Sequence, residues 1–153
     1  MEVLKWQLQM NRIKNEQNLY LVGERSGQIG AWQFPQGGID QGETEESALF
    51  RELKEELGCS DVEVLTKGSF TVQYDFPRDL NAPITRKYSG QRQRWFLVKF
   101  SEKGQPDLSN SDHEFQDISW MSLDMILSKI IAWKKDAYMK GLRSIGLLSE
   151  TQA

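Results

Sequence analysis

One segment, residues 37–59, constrains the fold more than any other part of the chain. It reads GGIDQGETEESALFRELKEELGC. On a helix that turns about 100° per residue, Glu52, Glu55 and Glu56 share one face, because they occupy positions i, i+3 and i+4. Leucines at i, i+4 and i+8 form a second stripe that we expect to be buried: Leu49, Leu53 and Leu57. We expect Gly58 to end this helix.

The carboxylate face of this helix predicts a site for divalent cations. Like charges three or four residues apart on a helix repel each other by about 0.2–0.5 kcal/mol per pair. A cluster that is kept at this cost indicates cations that neutralise it. Carboxylate oxygens that cannot form a complete cage from one helix suit Mg2+ or Mn2+ ions, which are shared with substrate phosphates.

The composition predicts one globular domain over residues 1–153. Hydrophobic residues make up 39% of the chain and aromatic residues 10%, which is enough for a substantial core. The sequence has no stretch of about 20 apolar residues, and its start, MEVLKWQLQM, lacks a signal-peptide pattern. The single cysteine, Cys59, cannot form an internal disulfide. We therefore expect a cytoplasmic protein that does not enter the membrane.

Charge is distributed unevenly along the chain. The formal net charge is −3, and segment 37–59 is strongly acidic. Segment 76–100 is basic, with only Asp79 opposing six cations: Arg78, Arg86, Lys87, Arg92, Arg94 and Lys99. An acidic metal site near a basic stretch fits a polyanionic substrate better than duplex DNA bound over a broad surface.

Hydrophobic alternation and turn residues predict several strands. We expect strands at 3–10, 18–24, 62–75, 93–101 and 117–121. Residues 26–38 hold four glycines and Pro35, so they are expected to form a loop around a short strand at 31–34. Ser122 is expected to cap a helix from Leu123 to about Lys140. Its inward side chains would be Leu123, Ile126, Leu127, Ile130 and Ala137. Strands with two long helices predict an α/β fold, a mixed β-sheet covered on both sides.

The acidic segment is identified as a Nudix box. Its spacing follows Gly-x5-Glu-x7-Arg-Glu-U-x-Glu-Glu-x-Gly-U, where U is aliphatic, and only the final position, Cys59, departs from the pattern. AWQFPQGGID, SGQRQRWFLVKF and HEFQDISWM resemble segments of bacterial RNA pyrophosphohydrolases and asymmetric diadenosine tetraphosphate hydrolases. The resemblance covers most of residues 20–140 and implies the Nudix fold, an α/β/α sandwich. The amino terminus lacks the Tyr-Arg-Pro-Asn-Val-Gly-like strand of that family, so no contact from that strand is carried over.

The resemblance implies metal ligands and catalytic residues. Glu52, Glu55 and Glu56 would hold Mg2+ or Mn2+, with Glu114 and the Gly37 carbonyl completing the ligands and two or more ions present with substrate. Arg51 would orient a box carboxylate, either Glu43 or Glu55. One of Glu52 and Glu55 would act as general base, and the sequence leaves that choice open.

The resemblance also implies substrate contacts. Arg25 and Gln91, Gln93 and Arg94 would meet the phosphates or the first nucleotides. Strand alternation puts Gln91 and Gln93 on one face and Arg94 on the other, so all three line one pocket only if a bulge intervenes. Helical spacing predicts that Trp133 is a core residue, whereas the resemblance implies that it stacks on a base. Both interpretations of Trp133 stay open.

The function that the resemblance implies is hydrolysis of a phosphoanhydride. The favoured substrate is the 5′-triphosphate end of RNA, which would be trimmed to a monophosphate. Alternatives are asymmetric cleavage of diadenosine tetraphosphate and hydrolysis of nucleoside triphosphates from the nucleotide pool. A non-catalytic nucleotide-binding module is disfavoured, because no carboxylate of the box is missing. A homodimer is possible.

Overall fold

In the part of the chain that the structure describes, eight strands and three α-helices build the fold. The computed structural model describes residues 2–14, 17–82 and 88–149, with the backbone alone for residues 2–14, 17 and 18; Arg86 and Lys87 of the basic segment lie outside. The strands are β1 (Glu2–Lys14), β2 (Gln17–Arg25), β3 (Trp32–Gln33), β4 (Gln36–Gly38), β5 (Val62–Lys67), β6 (Val72–Asp75), β7 (Gly90–Phe100) and β8 (Phe115–Met121). The helices are α1 (Glu45–Leu57), α2 (Leu123–Lys129) and α3 (Ala132–Ser144).

The sheet is mixed, with β1 at its centre. The strand order is β3-β2-β1-β7-β5. Residues 2–10 of β1 run parallel to β7, and residues 11–14 pair antiparallel with β2. β4 pairs with β1, β6 with β7 and β8 with β2, each antiparallel. This arrangement confirms the predicted mixed sheet.

The two faces of the sheet carry separate hydrophobic cores. On one face the core joins sheet residues to α1: Leu21, Phe96, Val98 and Phe115 with Ala48, Leu49, Leu53 and Leu57. On the other face it joins the sheet to α2 and α3: Tyr20, Val22, Trp95 and Leu97 with Ile126, Ala137, Tyr138 and Leu142. Alternation along β2 and β7 thus puts helices on both sides, which confirms the α/β/α prediction. Among the described residues, none of the helices is long and apolar enough to cross a membrane.

Helix α1 ends where predicted. Gly58 caps it with φ of 72°, and a Cβ at this position would also collide with the Asp107 carbonyl oxygen. At its start, the Thr44 side chain accepts a hydrogen bond from the Ser47 amide at 3.0 Å. The three leucines of its apolar stripe are fully buried, as expected. The caps and this stripe fix the rotation of the helix and therefore the direction of its carboxylates.

The single helix predicted from Leu123 to about Lys140 is wrong. The chain forms α2 and α3, and between them Ile130 and Ile131 are extended, each with ψ of 137°. Adjacent β-branched residues favour extended backbone over helix. Ser122 does cap α2, because its side chain accepts a hydrogen bond from the Met125 amide. The side chains predicted to face inward all belong to the core of α2 and α3.

The single strand predicted at 62–75 is also wrong, because it is divided into β5 and β6. Both pieces pair with β7, at opposite ends of that strand. Between them the Gly68 amide donates to the Trp95 carbonyl at 2.8 Å, and the Ser69 amide donates to the Ser144 carbonyl at 3.0 Å. These bonds tie the interruption to the end of α3. The other predicted strands are present, and β4 is an addition that the sequence did not reveal.

Candidate active site

The Glu56 carboxylate is buried at the core of the candidate site. None of its side chain is exposed, and among the described residues neither carboxylate oxygen has a hydrogen-bonding partner of normal geometry, although the nearby Gln36 amide favours the charged form. Burial, followed by the charges of Glu114 and Glu52, raises the pKa of Glu56 well above its ordinary value. A buried carboxylate of this kind is costly unless a cation or a proton neutralises it.

Glu52 lies against the backbone of β4. A Cβ at Gly37 would occupy the space of the Glu52 carboxylate, so only glycine allows this approach. Burial raises the pKa of Glu52, and the charges of Glu55 and Glu114 add to that effect, while hydrogen bonding to Arg51 opposes it. The segment before α1 and the acidic face of α1 therefore meet at one place.

Arg51 connects the acidic residues to one another. Its Nε and Nη2 donate to Glu43 at 2.7 and 2.8 Å, and its Nη1 donates to Glu52 at 2.8 Å and to Glu55 at 3.2 Å. Nη2 also donates to the Gly38 carbonyl at 2.7 Å. The bond from Arg51 is the main reason that the pKa of Glu43 falls to about 2. Arg51 was expected to contact Glu43 or Glu55; it contacts both, and Glu52 as well.

The turn before β8 brings Glu114 close to the carboxylates of Glu52 and Glu56. The Ser26 amide donates to the Glu114 carbonyl at 2.8 Å, which anchors this turn to the loop after β2. The Glu114 side chain is exposed, and its charge raises the pKa of both Glu52 and Glu56. Because Glu55 also raises the pKa of Glu52, the four predicted carboxylates act on one another electrostatically.

These carboxylates fit a divalent cation by their chemistry, but they do not form a finished cage. Within the described ranges, no three aspartate, glutamate, histidine or cysteine side chains converge as metal ligands. Arg51 instead holds Glu52 and Glu55 in ion pairs of 2.8 and 3.2 Å. The unpartnered oxygens of Glu56 and the all-oxygen donor set still suit Mg2+ or Mn2+. A cation bound by Glu52 and Glu55 would therefore compete with Arg51 for these two carboxylates.

A cleft of about 1090 Å³ adjoins the acidic residues. Six of the residues predicted from the sequence line it: Arg25, Gly37, Glu52, Gln91, Glu114 and Trp133. Its volume slightly exceeds the range of about 300–1,000 Å³ typical of ligand pockets. The cleft therefore has room for a ligand with more than one base or sugar.

Trp133 stands in an aromatic group on the wall of this cleft. Its ring centroid lies 5.9 Å from Tyr74 and 6.2 Å from Phe76, and all three side chains line the cleft. The Trp133 side chain is half-buried. Trp133 does not continue the helix that contains Ile126, because α2 and α3 are separate, so helical spacing does not apply across them. The ring combines edge packing with a surface that faces the cleft.

The polar residues of β7 separate between two faces, as the alternation predicted. Gln91 lines the cleft, and Gln93 is buried beside it. Arg94 is outside the cleft, where it donates to Glu45 at 3.1 Å and to the Gly68 carbonyl at 2.9 Å. The structure therefore brings Gln91 together with the acidic site, places Gln93 next to Gln91, and leaves Arg94 elsewhere.

The chain matches the model of the NUDIX domain over residues 11–141. This match includes the box, the aromatic wall and most of the sheet. The chain belongs to the Nudix family.

Relatives and solved structures agree with the Nudix assignment. The RNA pyrophosphohydrolase of Wolbachia sp. subsp. Drosophila simulans (strain wRi) is 41% identical over 128 residues, which cover 81% of this chain and 78% of the relative. That of Helicobacter pylori (strain P12) is 40% identical over 117 residues, covering 76% and 75%. The crystal structure of a C. elegans Ap4A hydrolase binary complex superposes with a TM-score of 0.64 at 21% identity, covering 90% and 93%. This structural likeness shows the Nudix fold.

The residues of the Nudix cleft that the sequence did not reveal include Tyr74, Phe76, Lys129 and Lys134. The break between α2 and α3 explains two of them, because it turns both lysines toward the cleft. The adjacent isoleucines at 130 and 131 were the available signal for that break. Tyr74 and Phe76 were absorbed into one long predicted strand, so their proximity to Trp133 was not evident.

Substitution of Gly37 offers a direct test of the Nudix site geometry. Gly37→Ala is expected to displace the Glu52 carboxylate and to lower metal-dependent hydrolysis by more than tenfold. Gly38→Ala is the matched control, because nothing lies within 4 Å of a Cβ at Gly38, and it should retain near-normal activity. Both rates would be measured at saturating Mg2+ after melting curves confirm folding. Equal rates for the two variants would contradict the placement of Glu52.

Proposed function

We propose that this Nudix protein is a cytoplasmic RNA pyrophosphohydrolase, which trims the 5′-triphosphate end of RNA to a monophosphate. The observation that carries the proposal is the buried Glu56 carboxylate, whose oxygens have no hydrogen-bonding partner of normal geometry among the described residues. The charges of Glu52 and Glu114 act on it, and Glu52 and Glu114 line a large cleft. Such a carboxylate group suits the neutralising cations that a triphosphate also needs. The relatives of 40–41% identity that carry this name support the substrate class.

The cleft joins this acidic site to groups that suit the rest of an RNA end. Arg25, Lys129 and Lys134 line it and offer positive charge to phosphates. Trp133 offers a ring on which a base can stack, an interaction worth about 1–3 kcal/mol per base. A free nucleoside triphosphate presents the same phosphate chain as a triphosphorylated RNA, so the preference for RNA depends on contacts with later nucleotides.

We propose Mg2+ or Mn2+ as the cofactor, with two or more ions in the substrate complex. Glu52, Glu55 and Glu56, with Glu114 and the Gly37 carbonyl, are the groups that would hold them. When bound, the ions would neutralise the phosphate chain and help to orient the attacking water. Arg51 orients Glu52 and Glu55 through its hydrogen bonds, and one of these glutamates takes the proton of that water.

Hydrolysis distinguishes this enzyme from a nucleotide-binding module. With Mg2+, the protein is expected to release phosphate or pyrophosphate from triphosphorylated RNA and to leave a 5′-monophosphate end. Chelation of the metal should stop the release. The products would be separated by electrophoresis and chromatography. Binding of the RNA without product release at saturating Mg2+ or Mn2+ would contradict the proposal.

Divalent cations are expected to stabilise the native protein. A ligand that binds only the folded state adds RT ln(1 + [L]/Kd) to the free energy of unfolding. Mg2+ or Mn2+ should therefore raise the Tm, and Glu52→Gln should reduce that increase. The measurement is a series of melting curves over increasing metal concentration. A Tm that does not respond to millimolar concentrations of either ion would argue against the assigned ligands.

A further inference from the structure

A chain of hydrogen bonds leads from the core to the cleft. Trp95 Nε1 donates to Gln93 Oε1 at 3.2 Å, and Gln93 Nε2 donates to both Gln91 Oε1 and the Tyr74 hydroxyl at 3.4 Å. The Tyr74 hydroxyl in turn donates to Gln91 Oε1 at 2.5 Å. Tyr74 and Gln91 are direct partners in the β6–β7 register, and both line the cleft.

The inner end of this chain is held rigidly. Trp95 is fully buried, with its ring centroid 5.7 Å from Phe34 and 5.3 Å from Tyr138 in edge-to-face contacts. A Cβ at Gly141 would overlap the indole, so α3 closes the remaining side. The indole N–H can only donate. Gln93 must therefore turn its carbonyl oxygen toward Trp95 and its amide nitrogen toward Gln91.

The orientation of Gln93 dictates that of Gln91. If the Gln91 amide were reversed, its NH2 group would face the NH2 group of Gln93, and two donors cannot bond to each other. The Gln91 oxygen instead accepts from both Gln93 and Tyr74. Gln91 is 5% exposed and lines the cleft. Because Gln93 and Tyr74 engage its oxygen, we infer that its NH2 group is the end that meets the cleft.

We propose that Gln93 is a positioning residue, which through this relay holds Gln91 as a fixed hydrogen-bond donor. The ligand oxygen that Gln91 would meet is one of the substrate phosphate chain, as the family resemblance implies. The identity of that ligand rests on the proposed function. A glutamine amide that could rotate would present its oxygen to the phosphate in half of its orientations and repel it. The relay removes that alternative before the substrate arrives, so little freedom is lost on binding.

A double-mutant cycle tests whether Gln93 acts through Gln91. The proteins are wild type, Gln91→Met, Gln93→Met and the double variant. The Kd for β,γ-methylene GTP with Mg2+ and the kcat/KM for triphosphorylated RNA are measured for each. Gln91→Met is expected to raise the Kd and to lower kcat/KM, each by about ten- to a hundredfold, as for a lost hydrogen bond to a charged group. Gln93→Met should weaken both, while the double variant should be no weaker than Gln91→Met alone.

Losses that multiply in the double variant would overturn the proposal, because independent residues give additive free energies. Leu97→Met is the control for core packing, since Leu97 is buried on the same side of β7 and carries no polar group. It is expected to keep the wild-type Kd and kcat/KM. A loss in Leu97→Met as large as that in Gln93→Met would also overturn the positioning role.

Side-chain amide NMR of the wild-type protein provides a test that does not depend on the folding of any variant. Addition of β,γ-methylene GTP with Mg2+ should shift the NH2 resonances of Gln91 far more than those of Gln93. Gln91 resonances that do not move while the analogue binds would overturn the proposal. If the analogue binds as expected but RNA is not hydrolysed, the proposed function fails and the relay stands.

Discussion

Glu56→Gln is expected to abolish hydrolysis and to stabilise the metal-free protein. The substitution removes a carboxylate oxygen from the proposed metal site, so the rate should fall by more than the 10–100-fold that is typical when an outer partner of a metal ligand is lost. It also removes a buried carboxyl group that, without metal, must either carry a charge near Glu52 and Glu114 or hold a proton. For a chain of this size, each kcal/mol gained raises the Tm by about 2–4 °C. Kinetics at saturating Mg2+ and melting curves in chelator measure the two effects.

The raised pKa of Glu56 predicts that the free energy of unfolding depends on pH, and Glu56→Gln tests this dependence. The folded protein keeps a proton on Glu56 at pH values where the unfolded chain has released it, because the pKa of Glu56 is raised. The free energy of unfolding of metal-free protein therefore falls as the pH rises through this interval. Glu56→Gln should reduce that slope and leave the part that Glu52 contributes, because the pKa of Glu52 is also raised. Melting curves in chelator between about pH 5 and pH 8 test this linkage.

Two further variants control for the removal of a negative charge. Glu63 lies on β5 and pairs with Lys99 at 3.2 Å. Glu63→Gln should change neither the activity nor the slope of stability against pH. Glu55→Gln should abolish hydrolysis like Glu56→Gln, but without comparable stabilisation, since Glu55 is largely exposed and bonds to Arg51. Near-normal turnover in both Glu55→Gln and Glu56→Gln would refute the metal assignment.

Removal of the Trp133 ring is expected to impair RNA hydrolysis selectively. If the ring stacks on a base, Trp133→Ala should cost RNA substrates about 1–3 kcal/mol, which is about five- to a hundredfold in kcat/KM. Hydrolysis of GTP should fall far less. The comparison uses triphosphorylated RNA and GTP under identical conditions, with Trp133→Phe as the milder variant.

Packing losses need a separate control, because Trp133 also contacts Tyr74 and Phe76. Phe70→Ala removes a ring that is 42% exposed and does not line the cleft, so both substrates should be turned over normally. Melting curves establish that each variant is folded. Equal losses of Trp133→Ala on RNA and GTP would mean that the ring serves packing alone.

Local sequence signals predicted the elements whose boundaries and orientation are set by neighbouring residues. The leucine stripe and Gly58 placed α1, and alternation along β7 correctly separated Gln91 and Gln93 from Arg94. The breaks in two predicted elements were missed for different reasons. Ile130 and Ile131 continue an apolar helical pattern, so periodicity alone concealed their extended backbone. Gly68 interrupts a strand because of hydrogen bonds to distant parts of the chain, which no local window contains.

In the candidate site, too, local signals predicted the arrangement along one helix but not the burial and the contacts that the fold creates. Spacing on one helix brought Glu52, Glu55 and Glu56 together in the prediction, but it did not reveal that Glu56 is fully buried. Arg51 was expected to bind one partner, yet its guanidinium group donates to three carboxylates and a backbone carbonyl. It also forms an ion pair with a fourth carboxylate, that of Asp40, at 3.5 Å. The basic segment was expected to lie near the acidic metal site and to suit a polyanionic substrate. In the described residues, Arg94 and Lys99 instead pair with glutamates, and Lys129 and Lys134 line the cleft.

The most direct test of the proposed activity is a competition among three substrates in one reaction with Mg2+. These are triphosphorylated RNA, diadenosine tetraphosphate and a free nucleoside triphosphate, and kcat/KM is determined for each from the products. We expect triphosphorylated RNA to be preferred and to yield RNA with a 5′-monophosphate. A higher kcat/KM for diadenosine tetraphosphate or for the free nucleotide would contradict the assignment of RNA as the substrate.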